Sequence, residues 1–315
     1  TPFTEDRKPD LSYVESATRA IAPYIKTGNL VILESTSPVG TTEHVASILA
    51  ESGHDIDSGI YVAHCPERVL PGRILIELVQ NDRIVGGINL GSTQEAMEFY
   101  KEFVNGEVLG TNARTAELSK LTENSFRDVN IAFANELSMI CEQENIDTWE
   151  LISLANRHPR VDILQPGPGV GGHCIAVDPW FIIAKAGDTA KLIRTAREVN
   201  DAKPEWVIEK VKEKAAKFKR PVVACLGLAF KADVDDLRES PSLDIVKQLI
   251  KQDIADLLIC EPNLSKHADF ELSSLSDAVA RADIVLLLVD HKPFKTLSAA
   301  QLSDKIVIDT RGIIK

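Results

Sequence analysis

The chain has 315 residues, a formal net charge of −12, 44% hydrophobic residues and 26% charged residues. That length supports two or three domains with a sizeable core, and the acidic balance argues against a nonspecific binder of nucleic acid or anionic membrane. The five cysteines (65, 141, 174, 225 and 260) form no C-x-x-C pair, so neither a metal site nor a disulfide framework is expected, and with no leader-like or membrane-length apolar run the expected compartment is the reducing cytoplasm.

Residues 11–25 carry a helical pattern. The continuous apolar run 29–35 has the length of a parallel strand buried on both faces. Residues 35–40 read as its turn, and Thr41–Glu51 as the helix that follows. A second strand, 59–64, ends at Cys65-Pro66-Glu67-Arg68, and a third covers 83–87. Strands alternating with helices predict a parallel α/β sheet, in which ligands sit past the carboxyl ends of strands. Thr36 and Glu67 both stand just past such an end. A helix cap is the plainer reading of Thr36, and a solvated loop charge that of Glu67.

Residues 115–144 contain neither Pro nor Gly and space Leu118, Leu121, Phe126, Val129, Phe133 and Leu137 as on one long helix. Lys120 and Asn124 stand i, i+4 and share a face, which a solvated surface explains equally well. A helix over 148–156 leads through Arg157-His158-Pro159-Arg160 to Pro166-Gly167-Pro168-Gly169-Val170-Gly171-Gly172-His173-Cys174. Glycines there allow positive φ and the close approach of a ligand. Asp178-Pro179 reads as N-cap and first position of the next helix. A thiol close to a helix N-terminus is where a cysteine pKa falls; an incidental cysteine in a tight loop is the alternative. Helices over 179–185 and 191–200 complete an all-helical section, 110–203, expected to mediate dimerisation.

Residues 204–219 form a basic amphipathic helix. Strands over 221–228, 256–260, 283–289 and 305–309, with helices over 242–251 (capped by Ser240-Pro241) and 275–282, make a second α/β unit without a glycine fingerprint for a dinucleotide. Cys225 and Cys260 lie in its apolar runs and read as core. The fold class is therefore α/β: two Rossmann-like parallel-sheet domains, 1–109 and 204–315, joined by an all-helical domain over 110–203.

Six motifs stand in one order: Glu34-Ser35-Thr36-Ser37-Pro38-Val39, Cys65-Pro66-Glu67, ELSKLTEN over 117–124, GVGGHCIAVD over 169–178, GLAFKADVDDLRESP over 227–241, and Ile308-Asp309-Thr310-Arg311. Together, over essentially the whole chain, they resemble the UDP-glucose/GDP-mannose dehydrogenase family. The segments 67–72 and 156–161 look like the branch acting on UDP-N-acetylhexosamines, the mannosamine epimer ahead of the glucosamine one. The resemblance implies a four-electron oxidation of a sugar alcohol to a carboxylate with NAD, in a homodimer joined by the central helices, with no metal, nucleic acid or membrane partner. It implies that Cys174 is the nucleophile, passing through a thiohemiacetal and a thioester. Lys120 would then stabilise oxyanion charge, and Asn124 and Asp178 would position water, Asp178 also accepting a proton. Glu67 would activate water on the thioester, with Thr36 placing that water beside the nicotinamide and Ser35 on the same cofactor side. Gly171, Gly172, Phe230, Lys231 and Arg311 would contact the sugar nucleotide, and Arg238 the NAD. Arg160, or alternatively Arg157, would reach the partner subunit's site.

Three departures from the family pattern stand out. Pro71 replaces a second acid four residues after Glu67. His173 replaces a small or aromatic residue and is expected to pack within the loop, with help in deprotonating Cys174 as the alternative. The family opens with a strand and a G-x-G-x-x-G turn for the NAD pyrophosphate, and residues 1–109 hold neither that turn nor the acidic residue expected for the ribose. The chain is therefore expected to carry only the later part of a cofactor domain and to bind NAD poorly, so that a UDP-sugar-binding and dimerisation module without turnover is the alternative reading.

Overall fold

The structure, a computed structural model, describes residues 2–4, 6–69 and 73–314. Leu70, Pro71 and Gly72 lie outside the described residues, and with them the position where Pro71 replaces an acid. The chain divides into two compact units, one of Thr1–Ser125 with Val177–Lys191 and one of Phe126–Ala176 with Leu192–Lys315.

In the first unit, α1 (Ser12–Ile21) precedes β1 (Leu30–Leu33), α2 (Thr41–Glu51), β2 (Tyr61–His64), α3 (Ile74–Gln80), β3 (Arg83–Gly87), α4 (Leu90–Lys101) and β4 (Val108–Asn112). The long helix α5 (Ala113–Gln143) begins directly after β4. The sheet runs in the order β1-β2-β3-β4. β1 pairs with β2 and β3 with β4 in parallel, as expected, but β2 and β3 are antiparallel, with Ala63 opposite Gly87. The sheet is therefore mixed. The connection that carries α3 returns the chain to the end at which β2 finishes, so β3 runs back along β2. An apolar run such as 83–87 reads the same in either direction. β4 escapes the pattern because its residues are half-buried or exposed and include Thr111 and Asn112.

The second unit carries α6 (Thr148–Ala155), most of α8 (Lys191–Ala215), β5 (Val222–Leu226), α9 (Pro241–Gln252), β6 (Asp256–Cys260), α10 (Leu275–Arg281), β7 (Ile284–Leu287), α11 (Ala299–Leu302) and β8 (Ile306–Asp309); the intervening α7 (Asp178–Ala186) belongs to the first unit. The sheet order is β6-β5-β7-β8, parallel throughout. Both faces are covered. Val223, Cys225, Ile284 and Leu286 face one core, and Ala224, Leu226, Val285 and Leu287 the other, which is why these strands read as unbroken apolar runs. Burial pushes the Cys225 thiol up to about 12 and that of Cys260 up to about 11, consistent with core packing.

The two helices expected over 191–200 and 204–219 are one. α8 runs through Pro204, although proline removes the bond to the Asn200 carbonyl. Arg197, Asn200 and Lys203 on one side of the proline, and Val207, Ile208 and Val211 on the other, are all buried, so tertiary packing outweighs the local break. Among the described residues, no helix is long and apolar enough to cross a membrane.

Candidate active site

Three of the residues singled out in the sequence meet in the first unit. Asp178 is 3% exposed and Asn124 6%, and Asn124 Nδ2 donates to Asp178 Oδ2 at 2.5 Å. Asp178 does not cap α7 as expected: the N-cap is Val177, with no side-chain bond, and Asp178 is the first helical residue. Its carboxylate turns to Asn124 instead. Burial pushes the Asp178 carboxyl up to about 6, against the Asn124 bond and the charge of Lys120, which both lower it. Leu121, Val177 and Phe181 form a small apolar cluster within this unit.

Glu117, one turn before Lys120 on α5, has a part that sequence reasoning missed. Its carboxylate is 1% exposed and accepts Gly40 N at 2.6 Å, Thr42 N at 2.7 Å and Thr42 Oγ1 at 2.6 Å. The first turn of α2 leaves N–H groups without helical partners, and an anion there also meets the positive end of the helix dipole. Glu117 supplies that anion from 75 residues away. The only sequence signal was an acid within the motif over 117–124. Gly40, not Thr36, is the N-cap of α2, so the helix-cap reading of Thr36 does not hold. Thr36 sits half-buried in the turn after β1, beside exposed Ser35. The carboxyl edge of parallel strands is where a doubly wound sheet holds a dinucleotide, and Ser35 and Thr36 on this edge fit that use.

Glu67 follows β2. Its Oε1 accepts Arg68 N at 2.6 Å and Val69 N at 3.0 Å, while Arg83 Nη1 lies 3.4 and 3.5 Å from the two carboxylate oxygens. Arg83, the first residue of β3, is fully buried. The antiparallel entry of β3 brings it to this end of β2. Arg68 Nη2 meets Glu123 Oε1 of α5 at 2.8 Å, tying the Glu67 loop to the helix that carries Lys120 and Asn124. Glu67 is therefore a held carboxylate, not a free loop charge.

Arg157, Arg160, Cys174, Phe230, Lys231, Arg238 and Arg311 belong to the second unit. Cys174 is exposed, in the loop that ends at α7, and so is His173, which does not pack as expected. Gly172 has φ +85°, and a Cβ there would meet the Phe230 ring at 2.9 Å. A Cβ on Gly171 would overlap the Glu239 carbonyl. The glycines are thus needed for close packing of the loop on residues 230–241. Gly167, Gly169 and Gly172 match the dinucleotide spacing of the G-x-G-x-x-G turn, but the element before them is the helix α6 and not a strand, so the structural context of that motif is missing.

A cavity of about 240 Å³ is lined by Pro168, Gly169, Phe230, Lys231, Asp290 and Arg311, among others. Arg311 reaches Asp290 through Nε at 3.1 Å and Nη2 at 3.0 Å, and its Nη1 donates to Pro166 O at 3.3 Å. Lys231, by contrast, is exposed. Two cationic side chains in the lining of one cavity, Arg311 with Asp290 beside it, suit phosphate oxygens. Arg238 is exposed and donates through Nε and Nη2 to Asp236, whose carboxyl the arginine holds down at about 2. Arg157 and Arg160 are exposed in the loop after α6. Among the described residues, no group of three His, Cys, Asp or Glu side chains forms a metal site.

Residues 1–104 match the NAD binding domain of the UDP-glucose/GDP-mannose dehydrogenase family, 114–202 its central domain and 224–315 its UDP binding domain. The chain is 57% identical to an NDP-N-acetyl-D-galactosaminuronic acid dehydrogenase of Ralstonia solanacearum, over 99% of this chain and 77% of the relative. It is 52% identical to a UDP-N-acetyl-D-mannosamine dehydrogenase of Escherichia coli, over 99% and 80%. A solved UDP-D-ManNAc dehydrogenase from Pyrococcus horikoshii superposes with a TM-score of 0.91 at 41% identity, covering all of this chain and 76% of that one.

Proposed function

The chain belongs to the UDP-glucose/GDP-mannose dehydrogenase family, and on that premise we propose that this nucleotide-sugar dehydrogenase oxidises UDP-N-acetyl-D-mannosamine at C6 to the uronate. The observation that carries the reading is the buried Asp178 carboxylate, bonded to Asn124 and facing the charge of Lys120. In this reading residues 1–109 belong to the NAD-binding domain, 110–203 form the central domain through which two copies dimerise, and 204–315 the UDP-sugar domain.

NAD, when bound beside Ser35 and Thr36, supplies the hydride acceptor for both oxidations. The residues of the chain do the rest. Asp178 takes the hydroxyl proton of the C6 alcohol, directly or through a water held by Asn124. The Cys174 thiolate adds to the resulting aldehyde carbon, and Lys120 stabilises the oxyanion. Loss of the second hydride leaves a thioester on Cys174. Water positioned by Thr36 and deprotonated with the help of Glu67 then cleaves the carbon–sulfur bond, releasing the carboxylate and the thiol. Phe230, Lys231 and Arg311 bind the nucleotide-sugar diphosphate, with Gly171 and Gly172 admitting it closely. Arg160 completes the partner subunit's site, and Arg238 contacts the cofactor.

Turnover is tested with the purified protein by NADH absorbance. Two NADH per UDP-N-acetyl-D-mannosamine, and no acid from Cys174→Ala, support the reading; acid formation by Cys174→Ala overturns the thioester route. The identity to the Ralstonia relatives favours a second reading, a galacto-configured N-acetylhexosamine nucleotide. Relative kcat/KM for UDP-ManNAc, UDP-GalNAc, UDP-GlcNAc and UDP-glucose separates these readings.

A further inference from the structure

β5 lies at the topological switch point of the second sheet, between β6 and β7. In doubly wound sheets the turn after such a strand offers its backbone N–H groups to a ligand phosphate. Here the turn is already taken. Gly227, at φ +98°, starts it, and a Cβ there would collide with Val289. The next two amides, Leu228 N and Ala229 N, donate to Glu261 Oε2 at 2.7 and 3.1 Å. His291 Nε2 meets the same oxygen at 3.0 Å, and Asn263 N and Nδ2 reach Oε1 at 3.1 and 3.2 Å. Burial alone would raise the Glu261 carboxyl, but these donors outweigh it and hold it below the usual range. Glu261 and His291 are both fully buried.

The His291 ring links this anion to the far side of the loop. Its Nδ1 accepts Asp233 N at 2.9 Å; a backbone amide is only a donor, so the ring proton sits on Nε2 and goes to Glu261. The two ends of the segment 228–233 are therefore clamped by one buried pair. Ser240 Oγ adds a third tie, donating to Leu228 O at 2.6 Å. Phe230 and Lys231, between the clamps, line the 240 Å³ cavity.

We propose that Glu261 and His291 are positioning residues for Phe230 and Lys231: an internal carboxylate takes the turn that a phosphate takes in dinucleotide-binding sheets, and so converts this sheet end into a rigid wall of the nucleotide-sugar pocket. The inference rests on reading that cavity as the site for the substrate diphosphate. Replacing Glu261 removes the acceptor of five donor groups, three of them on one buried oxygen, a loss that corresponds to about tenfold or more in affinity for whatever Lys231 holds.

The test is the steady-state kinetics of Glu261→Ala and Glu261→Gln, each checked for an intact thermal transition. The expected result is a KM for the nucleotide sugar raised about tenfold or more, with the KM for NAD changed by less than about twofold. Added formate, filling the vacated turn, should restore the KM of the Ala variant and not that of the Gln variant, whose amide still fills the space. An unchanged sugar KM in both variants, or a loss in kcat alone that formate does not reverse, overturns the proposal. If the Ala variant fails to fold, the Gln variant decides through its KM split. Lys231→Ala separates the two levels by UDP binding in calorimetry. Undiminished UDP affinity in Lys231→Ala defeats the pocket reading; weakened affinity there with unaltered Glu261 variants defeats the positioning role alone.

Discussion

Asn124 and Asp178, 54 residues apart in sequence, share a hydrogen bond of 2.5 Å in the interior of the first unit. The bond holds a carboxylate that burial keeps close to half protonated near pH 6. A group that accepts a proton in the reaction works only when ionised, so kcat/KM should rise with pH through about 6. Asn124→Ala removes a bond that lowers the pKa and should move this acid limb upward, while Asp178→Asn should cut kcat about a hundredfold or more. A pH–rate profile reads both. The carboxyl titrates higher in the folded protein than an aspartate does in the unfolded chain, so the stabilisation linked to the protonated form is complete below about 4 and is lost as pH rises through 6.

Glu117 caps α2 from the body of α5. Glu117→Ala leaves two backbone amides and the Thr42 hydroxyl without their acceptor. The expected cost is about 1–3 kcal/mol, seen as a lower thermal midpoint. Equal midpoints for the variant and the parent protein would contradict the capping role.

Lys203, in α8, is 3% exposed. Burial pushes its ammonium down to about 7, with Glu142 opposing; its Nζ meets Ser138 Oγ at 2.5 Å and lies 4.0 Å from the Trp206 ring centroid. A depressed lysine means that the unfolded chain holds the proton more tightly, so its contribution to stability is present above about 10.5 and lost as pH falls through 7. Every tenfold difference in proton affinity between the folded and unfolded chain corresponds to about 1.4 kcal/mol. Lys203→Met should raise the urea midpoint at pH 7 and flatten its rise between pH 7 and 10. A midpoint that falls at pH 7 would show that the Ser138 and Trp206 contacts outweigh the buried charge.

Gly172→Ala should distort the loop that bears Cys174. The position combines φ +85° with the nearby Phe230 ring, and strain of this kind costs about 1–3 kcal/mol. The rate of alkylation of Cys174 by iodoacetamide, compared between the variant and the parent protein, should change together with a loss of turnover. Unaltered alkylation and turnover would mean the loop tolerates a side chain at this position.

Much of the fold could be read from local pattern. β5 and β7 were legible as unbroken apolar runs because they are buried on both faces, and Ser240-Pro241 was legible as a helix start because Ser240 Oγ accepts Leu243 N. Lys120 and Asn124 could be placed on one helix face from their spacing alone. The direction of β3 was not legible, since strand direction depends on the path of the connection and not on side-chain pattern. The continuity of α8 through Pro204 depends on packing that no local propensity contains.

The sequence by itself determined the alternation of strands and helices, the chemistry available at Cys174, Lys120, Asp178 and Glu67, and the backbone freedom of the glycine run before Cys174. Those follow from periodicity, side-chain type and backbone freedom, which act over a few residues. Only the tertiary structure decided that Asp178 bonds Asn124 instead of capping α7, that Glu117 and not Thr36 serves the first turn of α2, and that Glu261 fills the turn after β5. Each of these is a buried carboxylate meeting donors more than thirty residues away. A carboxylate taken out of water must find donors wherever the packed chain presents them, and that choice is made only when the elements come together.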